Sequence, residues 1–267
     1  MSLSAYITRL LVERMTAPNV TERPFVPGRT YMAFADPAGG SGRDSFTLGI
    51  GHNEWRDGRE IATLDVLLEA KPPFDPDLVA ARMAEVLKAY GLRSVTGDAY
   101  AGDWPKTSFG RCGIDYQRAH ASKSEIYLHV LPLFSGSRVD LLDLPRLADQ
   151  LAGLQRKTGT GGRESVDHAR GAHDDVANAA CGVLWRLSPS RGRVALVPAI
   201  IVTGATTFLG DHPGVPVSSP SAVMVMEHPA AGVADAASVM AAISPLCTPA
   251  PGLPPFADVY KTDWPVW

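Results

Sequence analysis

A short apolar run, residues 31–35 (YMAFA), stops at an acidic residue and a proline, and this junction constrains the fold more than any other stretch. An apolar run of this length between polar flanks is typical of a buried strand. Asp36 then stands where the strand leaves the sheet, followed by Pro37 and a glycine-rich loop at residues 38–42. The sequence therefore predicts a buried strand whose carboxyl end carries an acid.

Strand and helix patterns alternate after this junction. Apolar runs predict strands at residues 45–51, 60–68 and 94–96. Apolar residues at helical spacing predict helices at residues 75–90, 101–112, 122–130, 144–154 and 174–187. Strands that come first and are then interleaved with helices are typical of an α/β fold with a mixed sheet.

Three further regions complete the organisation. Apolar residues at helical spacing predict a helix over residues 3–15, and a polar, glycine-rich and basic stretch predicts a hairpin or loop at residues 153–171. Half of the 22 prolines follow Arg191. We therefore expect a leader helix and connector at 1–29, a main domain at 30–188, and a proline- and alanine-rich carboxyl-terminal extension at 189–267.

Charge and cysteine content exclude several classes of protein. The chain has 25 lysines and arginines against 28 acids, so it is not a bulk polycation, although a local basic patch is compatible with this balance. Three cysteines without a CxxC pair argue against a disulfide framework or a cysteine zinc site. The sequence has no signal-peptide pattern and no unbroken apolar span, so we expect a cytoplasmic protein that does not cross a membrane.

Four acidic residues fall at three places where predicted elements begin or end. Asp36 and Asp98 end predicted strands, while Asp174 and Asp175 open the last predicted helix. Carboxylates brought together repel one another unless a cation neutralises them, and oxygen ligands without histidine or cysteine suit Mg²⁺ or Mn²⁺. Taken singly, each acid is equally compatible with a turn or a helix cap, so spacing alone leaves both interpretations open.

These acids lie within a series of six stretches: 34–47 (FADPAGGSGRDSFT), 97–105 (GDAYAGDWP), 122–127 (SKSEIY), 138–143 (RVDLLD), 162–168 (GRESVDH) and 173–180 (HDDVANAA). In this order they resemble the nuclease domain of the large terminase subunit of tailed phages and gene-transfer agents. The resemblance covers about residues 30–187. One such stretch would be weak evidence for this family, but six stretches in the family's order are specific to it.

The resemblance implies a ribonuclease H-like fold, with a mixed five-stranded sheet flanked by helices and an acidic cluster that binds two Mg²⁺ or Mn²⁺ ions. It implies that Asp36 is the first-strand ligand bridging the metals and that Asp98 is the second acid. Asp175 would be the helix acid, with Asp174 beside it as an alternative ligand or a supporting group. Adjacent helical residues point about 100° apart, which favours one of the pair as the direct ligand, and we favour Asp175.

The chain departs from the family in one large respect. A complete terminase large subunit carries an ATPase motor, whereas this sequence has no Gly-Lys pair and so no phosphate-cradling P-loop. The sequence therefore predicts a fragment or a separately encoded nuclease half. The resemblance implies double-stranded DNA, an ATPase motor, a small terminase subunit and a portal protein as partners.

Basic residues near the acids are candidates for DNA contacts. Arg156, Lys157, Arg163 and Arg170 lie in the predicted hairpin or loop, and Lys123 lies in the SKS stretch. Such residues could steer the DNA backbone through phosphate contacts, or could simply be solvated. Histidines at 168 and 173 are further candidates for proton transfer, with helix capping as the alternative.

The leading interpretation is a metal-dependent endonuclease that cuts double-stranded DNA during genome packaging. The alternatives are a non-catalytic assembly module that binds DNA or portal, and another ribonuclease H-like nuclease such as a junction resolvase. A sugar-kinase or actin-like ATPase interpretation of the glycine-rich loop is disfavoured because no second phosphate loop is recognisable. The extension at 189–267 is either a docking tail or a terminus with short extended pieces.

Overall fold

The structure, a computed structural model, describes residues 2–98, 102–159 and 162–188. The predicted extension lies outside these residues. The strands are β1 (Ser2–Ala5), β2 (Tyr31–Asp36), β3 (Phe46–Arg56), β4 (Arg59–Ala70), β5 (Ser94–Gly97), β6 (Asp115–Arg118), β7 (Val139–Asp140), β8 (Leu154–Thr158) and β9 (Glu164–His168). The helices are α1 (Arg9–Arg14), α2 (Pro76–Ala89), α3 (Trp104–Arg111), α4 (Lys123–Ser135), α5 (Pro145–Gly153) and α6 (Asp175–Leu187).

The main sheet has six strands in the order β6-β5-β2-β3-β4-β7. Strands β2, β3 and β4 form an antiparallel meander, while β5 and β6 run parallel to β2, and β7 runs parallel to β4. The predicted α/β class with a mixed sheet is confirmed. The resemblance implied five strands, and the described sheet has a sixth, because the two-residue β7 pairs with the edge of β4.

The first residues differ from the prediction. The expected helix over 3–15 is shorter, because residues 2–5 form β1 and the helix starts only after Thr8, whose side chain accepts from the Leu11 amide. Strand β1 pairs antiparallel with β8, which itself pairs with β9. The predicted hairpin at 153–171 is therefore confirmed and becomes part of a three-stranded sheet.

Helices cover both faces of the main sheet. Alternate residues of β2 face opposite sides: Phe34 joins the core under α4 and α6, whereas Ala33 and Ala35 join the core under α2 and α3. This alternation follows from the two-residue period of a strand. No helix in the described part of the chain is both long and apolar enough to cross a membrane.

Helix α6 lies unusually close to the sheet. Gly182 faces the ring of Phe34 on β2, where a Cβ atom would overlap the ring. Gly49 on β3 faces Val183 and the Ala179 carbonyl in the same way. Glycine at these contacts lets the helix backbone approach the sheet, which fixes the position of the helix start beside the ends of the strands.

Candidate metal centre

Two acids lie side by side at the carboxyl edge of the main sheet. Asp36 is the last residue of β2, and Asp98 directly follows β5. The two strands are parallel neighbours, with Ala35 opposite Gly97, and the Asp98 amide donates to the Ala35 carbonyl at 3.2 Å. The predicted convergence of these strand-end acids is therefore present.

Helix α6 brings a second pair of acids to the same edge. Asp174 is the N-cap residue and Asp175 is the first helical residue, and both are buried. The Ser45 amide donates to Asp175 Oδ2 at 2.9 Å, and the Thr47 hydroxyl donates to the Asp175 carbonyl at 2.9 Å. These two bonds attach the start of α6 to the start of β3.

The acids line one cleft of about 380 Å³. Lys123 at the start of α4 also lines it, together with the glycine-rich loop, and is the one lysine or arginine among the described lining residues. The full lining consists of Asp36, Pro37, Ala38, Gly39, Gly42, Asp44, Ser45, Asp98, Trp104, Lys123, His168, His173, Asp174, Asp175 and Asn178. Most of the stretches that carried the family resemblance thus meet at a single site.

The cleft disfavours negative charge on Asp36. Burial, reinforced by the charges of Asp98 and Asp175, raises the pKa of Asp36 to about 8, although the neighbouring Asn178 amide and the Lys123 ammonium oppose this rise. Burial also raises the pKa of Asp175, against the effect of the Ser45 amide. A bound cation would favour the ionised form of both carboxylates.

Asp175 also belongs to a second group of potential ligands. Ligand atoms of Asp44, His173 and Asp175 all lie within 4.8 Å of one another, and His173 Nδ1 is 3.4 Å from Asp44 Oδ1. The structure places the exposed side chain of Asp44 beside the buried Asp175. The group could hold a divalent ion.

Asp174 has different neighbours from Asp175. Its Oδ1 accepts from the Lys123 ammonium at 3.0 Å, and its Oδ2 accepts from the Tyr127 hydroxyl at 2.8 Å. Burial disfavours the charged form of Lys123, but the Asp174 carboxylate outweighs this and the pKa of Lys123 lies above its ordinary value. Asp174 and Asp175 therefore have distinct surroundings.

The predicted DNA-contacting residues divide into two groups. Lys123 lies in the cleft, whereas the hairpin residues lie beyond it on and after β8 and β9. Arg156 pairs with Glu164 across the hairpin, so its charge is largely offset. Lys157 is half-buried, while Arg163 and Arg170 are exposed and form no ion pair with another described residue.

Sequence reasoning missed two side chains at this site. Asn178 lies one turn after Asp174 on α6, lines the cleft and is buried. Tyr127 lies one turn after Lys123 on α4 and is fully buried. Residues four apart share a face of a helix, so this spacing from a predicted site residue was the signal available in the sequence.

No protein-family model matches the chain, and no curated protein matches it. Solved structures do. The large terminase nuclease of the thermophilic phage G20c matches 63% of this chain and 88% of its own, with a TM-score of 0.52 at 16% identity. The nuclease domain of the large terminase subunit gp2 of bacterial virus Sf6 matches 70% of this chain and 100% of its own, with a TM-score of 0.52 at 13% identity.

This chain has the fold of a large terminase nuclease domain. The ribonuclease H-like fold predicted from the six stretches is thereby confirmed. The HK97 bacteriophage large terminase matches 69% of this chain with a TM-score of 0.55 at 15% identity, and this chain covers 44% of it. Structures of the G20c nuclease with bound magnesium and of a mutant Sf6 nuclease domain with manganese also match, with TM-scores of 0.50 and 0.51.

Proposed function

We propose that this protein is a metal-dependent DNA endonuclease that cuts double-stranded DNA during genome packaging. The observation that carries this proposal is the meeting of Asp36, Asp98 and Asp175 in one cleft of a terminase-nuclease fold. The fold suggests metal-dependent hydrolysis of a phosphodiester. The three carboxylates at the edge of the main sheet are the metal ligands that such a reaction requires.

The cleft residues fit Mg²⁺ or Mn²⁺. Asp36, Asp98 and Asp175 offer only oxygen donors, which hard divalent ions prefer. The Lys123 ammonium pairs with Asp174, and its favourable effect on Asp36 does not offset the burial that raises the pKa of Asp36. The G20c and Sf6 relatives have been crystallised with magnesium and with manganese, respectively. We propose that Asp36, Asp98 and Asp175 would hold two such ions.

The protein's own residues prepare the site for phosphodiester hydrolysis. Divalent ions, when bound, lower the pKa of the attacking water and stabilise charge on the leaving oxygen. Strands β2 and β5 fix Asp36 and Asp98 by their mutual hydrogen bonds, and the Ser45 amide fixes the Asp175 carboxylate. Because these acids are held rigidly, they would orient the metal ions and the substrate phosphate. Such orientation accelerates hydrolysis.

The basic groups would hold the DNA backbone. Lys123 lies inside the cleft, and we propose that it contacts the phosphate nearest the metals. Lys157, Arg163 and Arg170 would contact phosphates beyond the cleft, whereas Arg156 contributes less because Glu164 already pairs with it. Phosphate contacts carry no sequence information, so the proposed cleavage has little sequence specificity.

We propose residues 30–188 as the nuclease domain, with residues 1–29 packed on it through β1 and residues 189–267 as an extension. An ATPase motor, a small terminase subunit and a portal protein are the proposed partners. The absence of a P-loop in the sequence means that DNA translocation has to be driven by another chain or segment.

The proposed activity is tested by nicking of supercoiled plasmid. The purified chain should convert the plasmid to open-circular and linear forms in Mg²⁺ or Mn²⁺ and should stop when the metal is chelated. Asp98→Asn should lower the rate by at least about 100-fold, in the range expected when an essential charged group of a catalytic site is lost.

The matched control is Asp115→Asn, an exposed acid at the start of β6 outside the cleft. It should cut at the rate of the parent. Plasmid left intact by the parent in both metals, or equal rates for Asp98→Asn and the parent, would rule out the proposed activity. Faster cutting of branched than of linear DNA would instead assign the site to a junction resolvase.

A further inference from the structure

We propose that Asp174 is a positioning residue and not a metal ligand: together with Tyr127 it holds the Lys123 ammonium at the cleft for contact with a DNA phosphate. This inference rests on the proposed nuclease function, because it assigns the roles of three residues within the same site.

Both oxygens of the Asp174 carboxylate already have partners. Lys123 Nζ lies 3.0 Å from Oδ1, and the Tyr127 hydroxyl donates to Oδ2 at 2.8 Å. The Asp174 side chain is only 4% exposed, so these partners meet it away from bulk water. A divalent ion at Oδ1 would have to sit against the lysine charge, and one at Oδ2 would have to displace a buried hydroxyl.

Asp175 is surrounded quite differently. Its Oδ2 accepts from the uncharged Ser45 amide, which can orient a ligand carboxylate without competing for charge. Its neighbours Asp44 and His173 are themselves potential ligands within 4.8 Å. The side chain at position 175 is therefore prepared for a cation, whereas the one at position 174 is already paired with a cation.

The start of α4 holds Lys123 in place. A capping box formed by Ser122 and Glu125 fixes this helix end. Tyr127 follows Lys123 by four residues, so both side chains lie on one helix face and meet the same carboxylate. This pairing restricts a long, flexible side chain that would otherwise lose conformational entropy when it binds.

Lys123 keeps access to the cleft while it is held. Its side chain is 31% exposed and lines the cleft beside Asp36. An ammonium is a compact point charge that binds a phosphate oxygen well. The pair with the buried Asp174 carboxylate keeps the ammonium in place. Without this pair, the ammonium would neutralise Asp36, Asp98 or Asp175 instead.

The first test measures Mn²⁺ affinity by calorimetry on the full-length protein. The double variant Lys123→Met/Asp174→Asn removes one positive and one negative charge, so the net charge of the site stays that of the parent. It should bind Mn²⁺ within about threefold of the parent, whereas Asp175→Asn should bind at least about tenfold more weakly. A loss of tenfold or more in the double variant would identify Asp174 as a ligand and overturn the proposal.

The second test measures binding of a fluorescent DNA duplex without divalent metal, so that no strand is cut. Lys123→Met should weaken binding and reduce the slope of log affinity against log salt by about one, the loss of one phosphate contact. Lys123→Arg should restore the slope of the parent. An unchanged slope in Lys123→Met would overturn the proposed phosphate contact.

The third test is a double-mutant cycle on the nicking rate. Asp174→Asn should slow the parent but should have less than about a twofold effect in the Lys123→Met background, because it acts through the lysine. An equal effect in both backgrounds would contradict the positioning role. If the parent cuts no DNA, the proposed function fails, and the Mn²⁺ and duplex measurements still decide the roles of these residues.

Discussion

Asp36 shows how one residue can link fold stability to metal binding. Burial raises its pKa to about 8, with Asp98 and Asp175 contributing and Asn178 and Lys123 opposing. In the unfolded chain an aspartate ionises near pH 4. Between about pH 4 and pH 8 the unfolded chain has therefore released a proton that the folded, metal-free protein keeps. The contribution of Asp36 to the free energy of unfolding must therefore fall as the pH rises through this window.

The variant Asp36→Asn tests this linkage because asparagine does not titrate. Without metal, its free energy of unfolding should fall less steeply with pH than that of the parent. The difference in slope should approach, but not exceed, about 1.4 kcal/mol per pH unit. Urea denaturation at several pH values measures it, with Asp115→Asn as the control. Parallel pH profiles for Asp36→Asn and the parent would contradict the raised pKa.

Helix α6 depends on glycine for its close approach to the sheet. Gly182→Ala improves helix propensity by about 1 kcal/mol, but the added Cβ would overlap the Phe34 ring. We expect a net destabilisation of about 1–3 kcal/mol, together with slower DNA cleavage because the start of α6 shifts. Thermal unfolding and the nicking rate measure the two effects.

Gly110 in α3 provides the matched control for this substitution. A Cβ at Gly110 meets no atom within 4 Å, so Gly110→Ala should be neutral or stabilise by up to about 1 kcal/mol. If Gly182→Ala were as stable as the control, the close packing of α6 on β2 would not hold.

The hairpin of β8 and β9 presents its basic residues outside the cleft. Arg163 and Arg170 are exposed, so alanine at both positions should change stability by less than about 0.5 kcal/mol each. The double variant should lower the salt slope of DNA binding by about two if both arginines contact phosphates. Fluorescence anisotropy at several salt concentrations gives this slope, and a value equal to that of the parent would exclude the hairpin from the DNA path.

The positions of the candidate site residues follow from the sequence more directly than the edges of the sheet do. Asp36 and Asp98 could be placed because an apolar run that ends at an acid marks the edge of a sheet. The helix start at Asp175 could be placed because α6 has a regular apolar face. The sequence could not predict β6 and β7, since β6 (DYQR) buries only one side chain and β7 has only two residues, so neither leaves an apolar run.

Side-chain partners across the molecule were also beyond sequence reasoning. Nothing local to Asp174 indicates that Lys123 and Tyr127 reach it, because these residues lie 51 and 47 positions away. The expected leader helix was wrong over residues 3–8 for a similar reason. Pairing of β1 with β8 satisfies backbone groups that a helix would otherwise satisfy, and that pairing spans most of the described chain.

The folded protein as a whole should respond to metal in a pH-dependent way. The proposed divalent ions would bind the ionised form of Asp36 and would compete with the proton that this residue keeps below about pH 8. Mn²⁺ should therefore raise the melting temperature more at pH 8 than at pH 6. At 100 times its dissociation constant it should add about 2.7 kcal/mol. Calorimetric scans of parent and Asp36→Asn measure this, and a larger rise at pH 6 would contradict it.

The position of bound metal tests the two-ion site most directly. Anomalous diffraction from crystals of the full-length protein soaked in Mn²⁺ should show two peaks, about 3.5–4 Å apart, bounded by Asp36, Asp98 and Asp175. No peak should contact Asp174. A single ion held only by Asp44, His173 and Asp175, or ions bound away from Asp36, would contradict the proposed site.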